Sequence, residues 1–551
     1  MVSQHGILYA VHLITNQFGN LVAKVCECLL RNGALTLQAI VRRTELSPAK
    51  VRNCLLVLIQ HNCAQAFILE ESVSGEDAGE PGKALTQYIA LFVNILHRVR
   101  FSKFMDVVSK ELGGSCGELF RGLLEHGRLT VKQIVDRAGA NAKESTNTVQ
   151  EDLGKLVMAH YVECCPAPEP LVPPPDADTK KRAKSSKVMV EPLTLEQRVM
   201  AVAMPSAMRR FSFVPNADQV ADDQQNVNQP PSKDVGEKRK LHDLESDTAL
   251  EEEVECNWRA NFEELLRRLR HKTCVDTIKV RFDDAAATVL SAMLEASRAE
   301  EDKVKTANSV PLSLNTIYEE VVKNEKNHSM TFDHVRTCLE ELSCPPTFVK
   351  TDDESYSIDF TKITEAAQSE EIESIVLKRF GETAYKIFRL LFRAGCLMET
   401  DKIADRIFAE KKETSKTLFK MWQDGYLLME LLVLCKHLNI LPPAIKCYCI
   451  CRNWLWAVQT GPSYGGSSYL LWKVNKRLLR ETILDEMFHA ALNLNLRLAH
   501  EIDQNKEVLN LPPDKREGPD KQKFDRLRNV RLLIHSSLMK LDDAIMLFHD
   551  F

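Results

Sequence analysis

Apolar positions along this chain come in short helical blocks, three of them closed by a glycine and followed by a brief extended piece. In the first block Val22, Val25, Cys26, Leu29 and Leu30 share a helix face, and Gly33 is placed to cap it in a left-handed conformation. Leu35 and Thr36 follow, then a short helix over 37–43. Ser47 before Pro48 is a helix start, N-cap then first turn, and the helix running to about His61 buries Val51, Leu55 and Leu58 at i, i+4, i+7. After it AQAFIL reads as a strand, ESVSGEDAGEPGK as a hairpin tip and TQYIALF as the returning strand.

Helix, short strand, helix, turn, helix and two-stranded ribbon is the order of a winged helix. Its middle is repeated: LLRNGALTLQAIVRR at 29–43 returns as LLEHGRLTVKQIVDR at 123–137, with eight of fifteen positions identical at an offset of 94 residues. Two further copies are less exact. One has helices over 285–294, 314–322 and 332–342 with wing strands TFVK and YSIDF. The other has LLFRAGCLMETDKIA, a third helix over 414–423 and the strand GYLLMELL. From Lys476 the texture changes: Leu479, Ile483, Met487, Ala490, Leu494 and Leu498 step by fours and threes, LPPDKREGPD reverses the chain, and Phe524, Leu527, Val530, Ile534, Leu538, Leu541, Ile545 and Phe548 step back. This predicts an antiparallel coiled-coil hairpin.

The fold class expected is therefore mainly α with small β wings: winged helices at 1–91, 92–163, 258–360 and 361–475, a mostly disordered linker at 164–257, and the hairpin at 476–551. The linker carries LVPPPD, KKRAKSSK and NQPPSKDVGEKRK, with one short ordered piece expected around 193–204. Within it Lys180, Lys181, Arg182 and Lys184 form a candidate nuclear localisation signal, the plain alternative being a solvated charge run. Between the strands MELL and YLLWKV stands an atypical, Cys- and Trp-rich segment, 433–459. Valine codons begin GT and one glutamine codon ends AG, so it fits an in-frame retained intron; the alternative is a real apolar wing insertion, an interaction site or a liability.

Composition narrows the function more than the fold. A length of 551 residues requires several domains, and a formal charge of −5 gives no whole-molecule field to gather a polyanion, so nucleic-acid contact must come from local patches. The sixteen cysteines sit in apolar helical patterns, as core thiols do. Cys447, Cys449 and Cys451 alternate while Cys164 and Cys165 are adjacent, neither being zinc-ligand spacing. No Walker lysine loop, H-E-x-x-H or G-x-S-x-G occurs, and GEDAGEPGK lies between strands rather than before a helix. No catalytic residue, cofactor or metal is expected. The start MVSQH lacks a signal-peptide pattern and no apolar run reaches membrane-spanning length, so an intracellular chain without membrane contact is expected.

Winged helices meet DNA through the third helix, with Lys and Arg on phosphates. The candidates are Arg42, Arg43, Lys50 and Arg52 in the first copy, and Lys412, Lys416 and Lys420 in the last. The latter form one stripe at i, i+4, i+8 opposite Leu418 and Trp422, both expected to be buried. In the second copy Glu144, Glu151 and Asp152 would repel phosphate and suit protein contact.

The order of these parts, with YLLWKVNK at 469–476 and SSLMKLDDAIMLFHDF at 536–551, resembles the RNA polymerase III subunit with tandem extended winged helices, itself similar to the alpha subunit of general transcription factor IIE. The resemblance covers nearly the whole chain. It implies a nuclear, non-catalytic subunit of the DNA-directed polymerase, joining two partners in a detachable trimer that acts in initiation and promoter opening of small structured RNA genes. It also implies contact with double- and single-stranded DNA and docking of the hairpin on the clamp of the largest subunit. The alternatives are a free-standing winged-helix transcription factor or scaffold, and an adaptor like those of cullins or the proteasome lid.

Overall fold

The computed structural model describes residues 2–69, 85–141, 146–173, 193–213, 256–298, 305–323, 330–352, 355–434, 449–451, 467–512 and 517–551. They form two compact units, one of Val2 with Ala10–Arg268, the other of Ser3–Tyr9 with Leu269–Phe551.

Helix α1 (Gln4–Phe18) opens the chain. The first winged-helix order follows as α2 (Asn20–Asn32), β1 (Leu35–Thr36), α3 (Leu37–Thr44), α4 (Pro48–Gln60), β2 (Ala64–Leu69) and β3 (Thr86–Ala90). Gly33 caps α2 at φ 76°, and the Ser47 hydroxyl accepts the Lys50 N–H at the start of α4. Strand β3 pairs antiparallel with both β1 and β2.

Next come α5 (Phe92–His97), α6 (Phe101–Leu112), α7 (Gly114–His126), α8 (Val131–Asn141), α9 (Thr146–Met158) and β4 (Val162–Cys164). The region expected to be linker contributes β5 (Leu171–Val172), α10 (Leu195–Ala203) and α11 (Ala207–Arg210). Strand β5 adds parallel to β2, with Ile68 opposite Leu171, and Val172 and Val199 pack with Phe67 and Ile89. Here the order exceeds the single piece expected at 193–204, because two buried valines are enough to pin a strand too short to carry a pattern. A capping box of Thr194 and Gln197 starts α10. The basic run Lys180, Lys181, Arg182 and Lys184 lies outside the described residues.

A second departure concerns β6 (Trp258–Ala260), expected to open the third winged helix. It pairs antiparallel with β4, Val162 opposite Ala260, and Trp258 bridges Leu129, so it completes the sheet of the second copy from across the linker. The boundary expected at 257 therefore divides strands that belong together.

The chain continues as α12 (Phe262–Arg281), α13 (Asp284–Ala296), β7 (Leu312–Ser313), α14 (Leu314–Lys323), α15 (Phe332–Ser343), β8 (Val349–Asp352) and β9 (Ser355–Ile358). The Asp283 carboxylate caps α13 by accepting the Ala286 N–H at 2.7 Å. Val289, Leu290, Met293, Ile317, Val335 and Leu339 close the core under sheet β7-β9-β8. After α16 (Phe360–Phe380) come α17 (Glu382–Ala394), β10 (Met398–Glu399), α18 (Thr400–Ile407), α19 (Lys411–Gln423), β11 (Leu428–Leu434), β12 (Cys449–Cys451) and β13 (Ser467–Lys473), the sheet order being β10-β13-β11-β12. Strand β12 arises inside the atypical segment and pairs with β11, Leu432 opposite Ile450. Residues 435–448 and 452–466 lie outside the described residues. Trp472 explains why YLLWKV marks this sheet: fully buried, it donates its indole N–H to the Thr400 hydroxyl at 2.8 Å, tying the returning strand to the start of α18.

Helices α20 (Lys476–Gln504), α21 (Lys506–Asn510) and α22 (Pro519–His549) end the chain, and α20 packs along α22. Leu479, Ile483 and Met487 on α20 and Leu527, Ile534 and Ile545 on α22 are buried. Ala490, expected in this seam, is exposed, and Ala491 is buried instead. The Gln368 side-chain amide donates to the Leu547 carbonyl at 2.8 Å, anchoring the end of α22 on α16. No helix among the described residues is long and apolar enough to cross a membrane.

One junction within the Ala10–Arg268 unit is pH-sensitive. His61 packs against Phe18 with the rings tilted by 36° and their centroids 4.7 Å apart; burial, then the charges of Arg98 and His126, push its pKa down to about 4. The unfolded chain takes up this proton near pH 6.5 and the folded one does not, so stability present at neutral pH is lost as pH falls from 6.5 towards 4. Thermal melts of the wild type and His61→Phe across that window are expected to diverge, the variant keeping more of its neutral-pH stability.

Candidate nucleic-acid interface

The first copy builds its basic face from one turn and two helix ends. Thr36 caps α3 by accepting the Ala39 N–H, and Glu45 closes it in the left-handed region at φ 57°. The carbonyl end of a helix favours cations, and Arg42 and Arg43 occupy that last turn. Lys50 and Arg52 open α4 on the far side of the turn. All four side chains are exposed, while Ile40, Val51, Cys54, Leu55 and Leu58 are buried beneath them. Arg43 donates to the Asn32 side-chain oxygen at 2.7 Å, so it is held upright against α2 rather than spent on a carboxylate. From Thr36 to Gln60 four basic side chains face a single acidic one, Glu45. Leu56, 64% exposed, lies on the same outer face.

In the last copy Lys412, Lys416 and Lys420 are all exposed on α19. The stripe lies opposite Thr414, Leu418 and Met421, which are buried; Trp422, expected to be buried with Leu418, is only half-buried, because Met421 fills the centre of the buried face and an indole is too large to be covered fully at its edge. Lys420 sits over the Phe380 ring at 5.6 Å, and Lys411 pairs with Asp401 at 3.1 Å. Between Glu399 and Asp424 six acidic side chains match six basic ones. This face is charge-balanced where the first is basic.

The second copy carries little unspent charge. Asp152 pairs with Lys155 at 2.7 Å, and Arg121 reaches both Glu118 and Glu125 at 3.4 and 2.9 Å. Glu151 is exposed, and Glu144 lies outside the described residues. A cleft of about 570 Å³ runs between α7, α8 and α9, rimmed by Glu118, Glu125, Asp152, Arg121 and Arg137.

Sequence reasoning located the exposed cations but missed Phe408, the residue between α18 and α19. It is 96% exposed and, like Glu45, holds a positive φ, 55°. The signal was present, since Phe408 and Glu45 each follow the short second helix of their copy. Cys26, Cys28, Cys54, Cys63, Cys116, Cys274 and Cys338 are among the buried free thiols. Burial pushes the Cys63 thiol up to about 11, and the charge of Arg98 opposes the shift. Such thiols pack as small apolar groups.

Comparison with known proteins agrees with this architecture. Residues 8–68 match the family described as the RNA polymerase III subunit RPC82 helix-turn-helix domain, residues 151–367 the RNA polymerase III subunit RPC82, and residues 372–433 the POLR3C C-terminal winged-helix domain. The DNA-directed RNA polymerase III subunit RPC3 of Danio rerio is 24% identical over 98% of this chain and 96% of its own. That of Homo sapiens is 23% identical over the same shares. The subunit rpc3 of Dictyostelium discoideum is 28% identical over 29% of this chain and 27% of its own. With three segments along the chain matching one subunit and relatives aligning from end to end, the chain belongs to this family of RNA polymerase III subunits, winged-helix proteins that are non-catalytic components of the DNA-directed polymerase.

Proposed function

We propose that this chain works in the nucleus within a detachable three-subunit part of RNA polymerase III, in initiation at small structured RNA genes, and that it holds DNA without reading sequence while the promoter opens. The observation that carries the DNA contact is the four-to-one excess of exposed basic side chains around the α3–α4 turn. Phosphate contact needs fixed cations and no base-specific groups, and gives affinity that tracks salt rather than sequence. Arg42, Arg43, Lys50 and Arg52 take the main share. Lys412, Lys416 and Lys420 contribute less, because Asp405, Glu410 and Glu413 stand among them.

The α20–α22 hairpin is the docking element in this reading, set against the clamp of the largest subunit and the two trimer partners. Leu532 and Leu533 support it, being 70% and 67% exposed on α22 beside Arg528 and Arg531. The run Lys180, Lys181, Arg182 and Lys184 serves nuclear import.

Replacing Arg42, Arg43, Lys50 and Arg52 together by alanine tests the DNA contact. Each lost phosphate contact removes about 0.9 from the slope of log K against log salt on duplex DNA, so a fall of about 3.6 is expected, equal for unrelated sequences. An unchanged slope would remove this surface from the proposal. The same substitutions at Lys412, Lys416 and Lys420 are expected to lower the slope less.

A further inference from the structure

Phe408 is a large apolar ring that folding does not use. It is 96% exposed, and its backbone holds a left-handed conformation, φ 55° and ψ 43°, that costs a side chain with a Cβ and suits glycine or asparagine. Two hydrogen bonds keep it there: its own N–H and that of Ala409 both donate to the Ala404 carbonyl. The ring therefore stands fixed on a rigid turn between α18 and α19. Glu45 occupies the same left-handed position after α3, so the geometry does not require an aromatic residue; a charged one closes the turn equally well.

What surrounds the ring decides what it meets. A nucleic-acid surface would pair an aromatic platform with a basic groove. Around Phe408 the six acidic and six basic side chains between Glu399 and Asp424 cancel, and Asp405, Glu410 and Glu413 lie within five residues of it. An exposed aromatic centre within a rim of mixed charge is the anatomy of a protein interface, where one buried ring carries much of the binding and the polar rim gives register.

We infer that Phe408 is an anchor residue that inserts into an apolar pocket, rimmed by both signs of charge, on another subunit of RNA polymerase III. This rests on the chain's role as a polymerase subunit and adds the residue and the chemistry of the contact. It also separates the two comparable turns: Glu45 stands in a basic face suited to phosphate, Phe408 in a neutral face suited to protein.

Phe408→Gly removes the ring and relieves the backbone, so loss of fold cannot mimic loss of contact. Cells would express equal amounts of wild-type and Phe408→Gly chains, and polymerase III would be purified through a tag on a different subunit. The expected result is depletion of the variant from the polymerase by about tenfold or more, as for an interface anchor. The isolated variant should melt no lower than the wild type and bind a single-stranded oligodeoxynucleotide equally well. Equal incorporation of the two chains overturns the anchor, and equal incorporation with weakened oligonucleotide binding assigns the ring to base stacking instead. Absence of the wild-type chain from the purified polymerase overturns the subunit role and the anchor together.

Discussion

Glu163→Ala is expected to destabilise the Ala10–Arg268 unit by about 3–5 kcal/mol, the cost of breaking a buried ion pair from one side. Glu163 is 1% exposed on β4. Its carboxylate accepts from Arg259 on β6 at 2.8 Å and from Arg210 at the end of α11. Arg259 is itself buried and also reaches the Asn62 side-chain oxygen at 3.5 Å, which accepts from Arg128 at 2.9 Å. Burial pushes the Arg128 pKa down to about 10, so this guanidinium too depends on its fixed acceptors, Asn62 and Gln65. Without Glu163 a guanidinium remains in the interior with no countercharge, and β6, which returns from across the linker, and α11, which lies within it, lose their shared clamp. Hydrogen exchange of the β4 and β6 amides should accelerate together, and limited proteolysis should open near Arg210 and Trp258. A loss below 1 kcal/mol with unchanged exchange would show that backbone pairing alone retains the strand.

Gly127→Ala should be the more damaging of two substitutions at equivalent places in the repeat. Gly33 and Gly127 both end the first helix of their copy with positive φ, 76° and 81°. At Gly33 an added Cβ meets nothing within 4 Å, so only the backbone cost remains, about 1–3 kcal/mol. At Gly127 the same atom would lie 2.0 Å from the Gln60 carbonyl oxygen, where the ends of α4 and α7 meet. That contact is laced by the Arg128 N–H donating to Gln60 O at 3.0 Å and by the Gln60 amide donating to the His126 carbonyl at 3.0 Å. A clash between backbones cannot be relieved by a rotamer change. Overpacking therefore adds about another 1–3 kcal/mol and separates the two copies. Denaturant midpoints of the two alanine variants give the comparison directly. Equal losses would mean that the α4–α7 contact yields without cost.

The repeated glycine was legible as a helix stop, because a left-handed cap is a local demand, but its second role was not, because close approach of distant backbones leaves no mark in either segment. The same division runs through the fold. Periodic stretches such as Val51, Leu55 and Leu58, or Ile483 and Met487, announced their helices and their buried faces. Helix α1 went unread: Ile7 to Ile14 is apolar nearly throughout, and a continuous run gives no period to count. Strands β5 and β6, two and three residues long, are set by partners about 100 residues away and carry no alternation of their own. Among the site residues the exposed cations followed from helical spacing. Which of them are balanced by acids required counting both signs around each turn, and the exposure of Phe408 required the backbone.

The measurement that tests the central claim most directly is affinity purification of the tagged full chain from nuclei, with the co-purifying proteins identified by mass spectrometry. Subunits of RNA polymerase III, including its largest subunit, are expected in amounts comparable to the chain itself. Recovery of the chain without polymerase III subunits would contradict the account and favour a free-standing winged-helix factor.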